Sequence, residues 1–267
     1  MSHLANAVSD GVVITKRNLI KLKRVPDVLV FSTLSPIMFV LLFAYVFGSA
    51  ITVPGINYRE FLMAGIFVQT VIFGATFTGA SLAEDLQKGL IERFRSLPMS
   101  DSAVLAGRTF ADVGINVVTL VVMSLTGLAV GWRIRSSVLE GIAGYVLLLL
   151  FAYAISWVMA VVGLLVRTPE VVNNASFIVI FPLTFVANTF VPLDNFPSVV
   201  KTIAIWNPVS SVTQAARELF GNTSPKFPAP DAWPLQNPVL YSLIWVVIIL
   251  VVFVPLSIHQ YRRAATR

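Results

Sequence analysis

The chain has 267 residues, of which 57% are hydrophobic and 12% are charged. Soluble domains carry about 25% charged residues, so this composition excludes an ordinary water-soluble enzyme and predicts a protein whose main solvent is lipid. The net charge of +6 would suggest nucleic acid as the partner of a soluble domain, but the basic residues cluster beside apolar stretches, which favours membrane lipid and excludes nucleic acid. With no cysteine and only two histidines, the chain offers no disulfide, thiolate metal site or cysteine nucleophile.

Residues 1–27 form a basic leader in which a helix is predicted over Ala5–Arg24. One face of this helix is apolar and the opposite face is basic. The apolar face carries Val8, Val12, Leu19 and Leu22, and the basic face carries Arg17, Lys21 and Arg24. The pattern indicates an amphipathic helix in the cytoplasmic headgroup plane, with a merely solvated basic segment as the alternative.

Six apolar stretches follow, and each is long enough to cross a bilayer. A helix rises about 1.5 Å per residue, so about 20 residues cross a hydrocarbon core of about 30 Å. The stretches are residues 28–50, 61–83, 104–132, 141–166, 171–193 and 235–261. The sequence therefore predicts an all-α membrane protein in which residues 28–267 form one bundle of six transmembrane helices.

The distribution of basic residues predicts the orientation of this bundle. Six spans place both termini on one side, and most lysines and arginines fall on that side, including Lys21, Lys88, Arg93 and Arg262. The positive-inside rule makes this side cytoplasmic. Small residues within the spans, such as Gly79 in the second and Gly163 in the fourth, predict close helix packing.

The loop after the second span, residues 84–100, mixes both charge signs with apolar residues at helical spacing. The apolar residues are Leu90, Ile91, Phe94 and Leu97. A short amphipathic helix with a charged rim suits docking onto a soluble partner. A solvated loop at the membrane surface is the alternative, since periodicity over so short a run is weak.

Polar residues inside the spans are few. Arg108 and Asp112 lie one turn apart at the entry to the third span and are expected to pair. We expect no acidic or basic residue deep in any span, which disfavours an ion-coupled carrier. The uncharged polar residues Gln69, Thr76, Thr184, Asn188 and Thr189 could hydrogen-bond between helices or line a polar path. Because no phosphate-binding glycine-rich loop is present, any ATPase must be another polypeptide.

The segment before the last span, residues 194–234, is predicted to be external and to contain two short helices. These helices cover Ser198–Trp206 and Ser210–Phe220. Pro208 precedes the second helix and Gly221 follows it, as helix start and stop signals do.

Two blocks of residues carry a resemblance to a known family. The first block comprises Asp85, Gly89, Glu92, Arg93, Arg95, Leu97 and Pro98, followed by Gly107, Arg108 and Asp112. The second comprises Phe181-Pro182-Leu183, Val191-Pro192-Leu193, Phe196-Pro197, Asn207-Pro208 and Arg217, with Val209 where a larger apolar residue is commoner. With these blocks the whole chain resembles the permease subunit of bacterial ABC-2 type transporters, in the style of the daunorubicin/doxorubicin-resistance permeases.

The resemblance implies a non-enzymatic, multi-pass subunit of a bacterial plasma membrane exporter. It implies two copies of an ABC ATP-binding subunit, which hold ATP and Mg²⁺, and a second permease in a homodimer or heterodimer. It implies no metal and no cofactor in this chain. The exported compound is expected to be hydrophobic or amphipathic and drug-like; a lipid, polyketide or cell-surface polysaccharide is the alternative. An ion-coupled carrier or intramembrane enzyme, and a structural membrane component, stay open as less favoured readings.

Three sets of site residues follow from the resemblance. The residues expected to couple to the ATPase are Asp85, Lys88, Gly89, Leu90, Glu92, Arg93, Phe94, Arg95 and Pro98. The residues expected along the substrate path are Gln69, Thr76, Thr184, Asn188 and Thr189. The residues expected at an external gate are Pro192, Pro208 and Arg217.

Overall fold

The computed structural model is helical throughout its regular structure and describes residues 15, 26–48, 50–90, 101–166 and 168–264. In chain order the helices are α1 (Pro26–Leu41), α2 (Tyr58–Gly74), α3 (Thr76–Gln87), α4 (Asp101–Ala129), α5 (Val138–Leu165), α6 (Pro169–Phe185), α7 (Ser198–Trp206), α8 (Pro208–Leu219), α9 (Trp233–Gln236) and α10 (Pro238–Ala264). A π-helical turn, Leu42–Phe47, continues α1. Helices α7 and α8 fall where two short helices were predicted.

Four helical segments of the described chain are long and apolar enough to cross a membrane. They are Tyr58–Gln87, Val104–Ala129, Val138–Leu165 and Pro238–Arg263. The first and fifth predicted stretches contain shorter apolar helices, Thr33–Phe47 and Pro169–Phe185. The all-helical membrane fold is confirmed at this level, and the count of six spans stays a prediction.

The fifth predicted stretch ends earlier as a helix than its hydrophobicity suggested. The prediction continued to residue 193, whereas α6 ends at Phe185. The carbonyl oxygens of Leu183 and Val186 accept hydrogen bonds from the side-chain amide of Asn207, at 2.8 and 2.6 Å. The end of this helix is therefore satisfied by a side chain from the start of α8, and the chain beyond it is irregular.

The second predicted span forms the centre of the bundle. It consists of α2 and α3, and 78% of its most apolar window is buried, against 22% for the last span. A Cβ atom at Gly163 of α5 would overlap the backbone of Gly79 of α3. Small residues thus allow α3 and α5 to cross closely, as the sequence predicted.

The position of Asp112 corrects one expectation. The sequence assigned this residue to the entry of the third span because the charge-free run begins at Val113, although the predicted span, like the helical segment in the structure, begins at residue 104, eight residues before Asp112. Asp112 therefore lies about 12 Å inside the span, and only 1% of it is exposed. The expectation that no charged residue lies deep in any span considered the charge-free run from Val113 alone, whereas the helix begins earlier and buries Asp112 one residue before that run.

One end of the bundle, predicted to be external, is held by hydrogen bonds between the α4–α5 loop and the end of α8. The indole Nε1 of Trp132 donates to Asn222 Oδ1 at 2.7 Å, and the Arg135 amide donates to the Phe220 oxygen at 2.8 Å. The Arg135 guanidinium also makes a forked ion pair with Glu60 of α2, with Nη2 2.6 Å from Oε1. We call Glu60, Trp132, Arg135 and Asn222 the outer clasp.

Gly221 lets the chain turn into this clasp. Its φ of 69° lies in the left-handed region that favours glycine, and an added Cβ atom would meet the backbone of Arg135 and Ser136. The turn ends α8 where the α4–α5 loop approaches it. Both the backbone conformation and the lack of space for a Cβ atom therefore favour glycine at this position.

Candidate functional site

A cavity of about 340 Å³ lies between α1, the α2–α3 pair, α4 and α6, and it opens to the surface beside the exposed residues Ser35, Phe177 and Phe181. We call it the mid-bundle pocket. Its aromatic lining residues are Phe39, Phe73, Phe77, Phe177 and Phe181, and its polar ones are Ser35, Gln69, Thr70, Thr76 and Thr119. None of the residues that line it is charged.

The mid-bundle pocket combines aromatic walls with a few hydrogen-bonding groups. Thr76 Oγ1, at the start of α3, donates to the Phe73 oxygen near the end of α2 at 2.7 Å, whereas the buried Thr70 Oγ1 has no hydrogen-bond partner within the described chain. A buried polar atom without a partner is uncommon in folded proteins. Such a pocket suits a largely apolar molecule that brings one or two polar atoms.

A series of phenylalanine rings leads from this pocket toward the predicted outer end. On α6, Phe177, Phe181 and Phe185 stack with ring centres 5.1 and 4.1 Å apart. Phe185 continues to Phe190 at 4.9 Å, and Phe190 stacks at 4.6 Å on Phe43 of the π-helical turn. We call these five residues the phenylalanine ladder.

Sequence analysis did not single out the phenylalanine ladder, although a signal was available. Phe177, Phe181 and Phe185 are four residues apart, and so are Phe39 and Phe43. Residues at this spacing lie on one helix face. The structure places Phe39, Phe177 and Phe181 beside the same pocket.

The five predicted path residues divide between different places. Gln69 and Thr76 line the mid-bundle pocket. Thr184 and Thr189 are fully buried outside it, and Thr184 donates to the Ile180 oxygen of its own helix. Asn188 lines a second cavity of about 420 Å³ at the predicted outer end, which we call the outer cavity.

Two of the three predicted gate residues also line the outer cavity. They are Pro192 and Arg217. Pro208 does not line it and instead opens α8, where its fixed φ suits the first helical position. The structure thus brings Asn188, Pro192 and Arg217 together and leaves Pro208 apart.

Arg217 joins three parts of the chain beside the outer cavity. Its Nε donates to the Phe61 oxygen of α2 at 3.0 Å, and its Nη2 donates to the Asn188 and Thr189 oxygens at 2.5 and 3.3 Å. Burial lowers the pKa of Arg217 to about 9, so its guanidinium stays charged at neutral pH. Only 2% of the residue is exposed, and backbone oxygens provide its hydrogen-bond acceptors.

The residues predicted to couple to an ATPase are described in part. Helix α3 ends just after Asp85, and Gly89 turns the chain away with a φ of 62°. Lys88 pairs with Glu84, which raises the pKa of the exposed Lys88 ammonium. Leu90 is partly buried. Glu92, Arg93, Phe94, Arg95 and Pro98 lie outside the described residues.

The predicted amphipathic leader, residues 1–27, also lies almost wholly outside the described residues. Within this leader the hydroxyl of Thr15 donates to the Gly107 oxygen of α4 at 3.0 Å. This contact places Thr15 beside the start of α4, at the end of the bundle predicted to be cytoplasmic.

Comparison with known proteins gives one family. A model of that family, described as ABC-2 type transporter, matches residues 11–220. The daunorubicin resistance ABC transporter permease protein DrrB1 of Streptomyces coeruleorubidus is 33% identical over 97% of this chain and 88% of its own length. The doxorubicin resistance ABC transporter permease protein DrrB of Mycobacterium tuberculosis is 25% identical over 76% of this chain and 70% of its own length. The matched residues include every helix that lines the mid-bundle pocket.

Proposed function

The chain belongs to the ABC-2 type transporter family, and from this premise we propose that it is the membrane subunit of an ATP-driven exporter of hydrophobic or amphipathic compounds. The observation that carries the proposal is the mid-bundle pocket, which is uncharged, rich in phenylalanine and supplied with a few polar groups. Such a lining binds apolar surface and leaves hydrogen bonds to set orientation.

The phenylalanine ladder supports an outward route from this pocket. Adjacent rings lie between 4.1 and 5.1 Å apart along the ladder, and each ring offers a face or edge on which a planar apolar group can pack. A compound leaving the pocket would exchange one aromatic contact for the next. The route would end near the outer cavity, where Asn188, Pro192 and Arg217 form the gate.

Energy for export would come from a separate ATPase. The chain carries no phosphate-binding glycine-rich loop, and membership in the family implies an ABC ATP-binding partner. In the proposed assembly two such subunits bind ATP and Mg²⁺ and dock on the loop that follows Gly89. Glu92, Arg93 and Arg95 would pair with charges on the ATPase while Phe94 fills an apolar groove. A second permease, identical or not, completes the membrane part.

The substrate class rests on the pocket and on the relatives together. Two relatives are named for resistance to daunorubicin and to doxorubicin, and an uncharged aromatic pocket is compatible with flat, amphipathic molecules of that kind. A lipid, a polyketide or a cell-surface polysaccharide is the alternative. A polysaccharide fits the pocket least well, because its many hydroxyl groups would find few partners there.

The decisive experiment has two steps. The chain is purified in mild detergent, copurifying proteins are identified by mass spectrometry, and the complex is reconstituted in liposomes to follow ATP-dependent movement of daunorubicin. We expect a stoichiometric ATP-binding subunit and transport that, at low daunorubicin concentration, is slower in Phe181→Ala but unchanged in Val179→Ala, which changes an exposed residue on the same helix. Transport that follows an ion gradient without ATP would overturn the proposal.

A further inference from the structure

A buried carboxylate links α3 to α4 next to the mid-bundle pocket. Asp112 Oδ2 accepts a hydrogen bond from Thr78 Oγ1. Thr78 is fully buried and Asp112 is 1% exposed. The backbone oxygen of Asp112 in turn accepts from the side-chain amide of Asn116, at 3.0 Å.

The second oxygen of this carboxylate is buried without a hydrogen bond from the described residues. Asp112 Oδ1 has no hydrogen-bond partner within the described chain, and neither has the buried Nε of Arg108. The two atoms are 4.0 Å apart, too far for a hydrogen bond. A buried charge that is only partly satisfied is costly. A closure of about 1 Å would turn this loose pair into a hydrogen-bonded one.

The Asp112 carboxylate lies between the mid-bundle pocket and the loop that follows α3. Thr78 follows Ala75, where the second span breaks between α2 and α3. Thr76 on α3 and Ile115 on α4 line the pocket, so the contact between Thr78 and Asp112 lies beside the pocket on the side away from the outer clasp. The other end of α3 leads through Gly89 into the loop proposed to meet the ATPase. A movement of that loop transmitted along α3 would reach this contact before it reaches the pocket.

We propose that Asp112 is a positioning residue with two alternative partners. Its Oδ2 bonds Thr78 in the arrangement seen here, which holds Oδ1 4.0 Å from Arg108 Nε; when a displacement of α3 withdraws Thr78, the carboxylate turns and closes on Arg108. The exchange of partners gives α3 two discrete positions against α4 and so fixes the shape of the pocket between them. A two-position element of this kind converts a small shift into a defined change. The origin of the displacement in an ATPase rests on the function proposed above; the exchange of partners does not.

The cysteine-free chain allows a direct test on the full-length protein. Cysteines replacing Gln87 on α3 and Val117 on α4, both exposed, carry spin labels, and their distance distribution is measured by electron paramagnetic resonance. Thr78→Val removes the hydroxyl at nearly constant volume and should shift the distribution to a second distance. Thr78→Ser, which keeps the hydroxyl, should restore the first. The double variant Thr78→Val with Arg108→Met should lose the second distance, because the alternative partner is gone.

A second variant protects the test against misfolding of the first. Asp112→Asn keeps an oxygen for Thr78 but removes the charge that attracts Arg108, so it should hold the first distance more fully than the unaltered chain. An unchanged distribution in Thr78→Val, or the same shift with and without Arg108, would overturn the inference.

The same variants are then assayed in the complex with the ATP-binding subunit. Thr78→Val should lower daunorubicin-stimulated ATP hydrolysis about tenfold, while the activity of Thr78→Ser stays within about twofold of that of the unaltered complex. If no ATPase accompanies the unaltered chain but the distances respond as stated, the proposed function fails and the inference stands. If the complex exports daunorubicin but the spin-label distances do not respond, the proposed function stands and the inference about Asp112 fails.

Discussion

The guanidinium of Arg217 lies over the ring of Phe61, with Cζ 3.5 Å from the ring centre, and donates to the backbone oxygen of the same residue. One side chain thus fixes α8 to the first turns of α2, although the two residues are 156 positions apart. Because Arg217 also bonds the Asn188 and Thr189 oxygens beyond α6, where the chain is irregular, its removal would take a donor from buried backbone oxygens of that segment.

We expect Arg217→Met to destabilise the protein strongly. Each buried carbonyl left without a donor costs about 1–3 kcal/mol, so the thermal midpoint in detergent should fall by roughly 5–10 °C. The thermal midpoint of Arg217→Lys should lie between those of Arg217→Met and the unaltered protein, because lysine keeps the charge but not the planar guanidinium that donates several hydrogen bonds. The measurement is a thermal unfolding curve of purified protein. An unchanged midpoint in Arg217→Met would contradict the bridging role.

The ion pair of Glu60 with Arg135 should matter more than that of Asp194 with Lys201. Both have an N–O distance of 2.6 Å, but the Glu60 carboxylate is 8% exposed and the Asp194 carboxylate is 62% exposed. Arg135→Ala leaves the buried Glu60 carboxylate without its ion-pair partner and should lower the thermal midpoint by several degrees. Lys201→Ala should lower it by about 1 °C or less. Equal effects of the two substitutions would show that the outer clasp does not depend on its ion pair.

Phe181 should determine affinity for the exported compound. We expect Phe181→Ala to raise the KM of export by roughly fivefold, the equivalent of about 1 kcal/mol of lost contact. Val179→Ala on the same helix should leave KM unchanged, since Val179 is 65% exposed and does not line the pocket. Initial rates of daunorubicin efflux from liposomes measure both. A lower maximal rate at constant KM in Phe181→Ala would place the residue outside the binding step.

Glu92 and Arg93 should be needed for export but not for insertion. Glu92→Ala or Arg93→Ala should abolish transport because each removes a charge expected to meet the ATPase, while the amount of permease in the membrane stays constant. Gln87→Ala, an exposed residue of α3, is the matched control. Immunoblots of isolated membranes measure the amount of inserted permease, and export assays measure its transport activity. Full export by both loop variants would remove this loop from the coupling mechanism.

The sequence predicted those features that depend on local chemistry. The short helices α7 and α8 follow from the proline and glycine signals around them, and Gln69 and Thr76, seven residues apart, lie on one face of a span and meet in the pocket. Thr184 has the same side chain as Thr76 and, like it, donates to a preceding backbone oxygen, but only Thr76 lines the pocket. Nothing in the sequence distinguishes the two.

Features that depend on long-range contacts could not be read from the sequence. The partners of Arg217 and of Arg135 are set by packing between helices distant in the chain. The depth of Asp112 was misjudged because a charge-free run marks the apolar core of a span, whereas a helix extends beyond it. The phenylalanine ladder was visible as spacing but acquired meaning only when α1 and α6 were found beside the same cavity.

The break at Ala75 divides the second span into two units that should exchange their amide hydrogens independently. Upstream, α2 is held by Arg217 and by the ion pair of Glu60; downstream, α3 is held by one carboxylate and by close packing against Gly163. Local opening follows such differences in contact. Deuterium should therefore enter α2 and α3 at different rates, so that one continuous hydrophobic segment consists of a slowly exchanging half before Ala75 and a faster exchanging half after it.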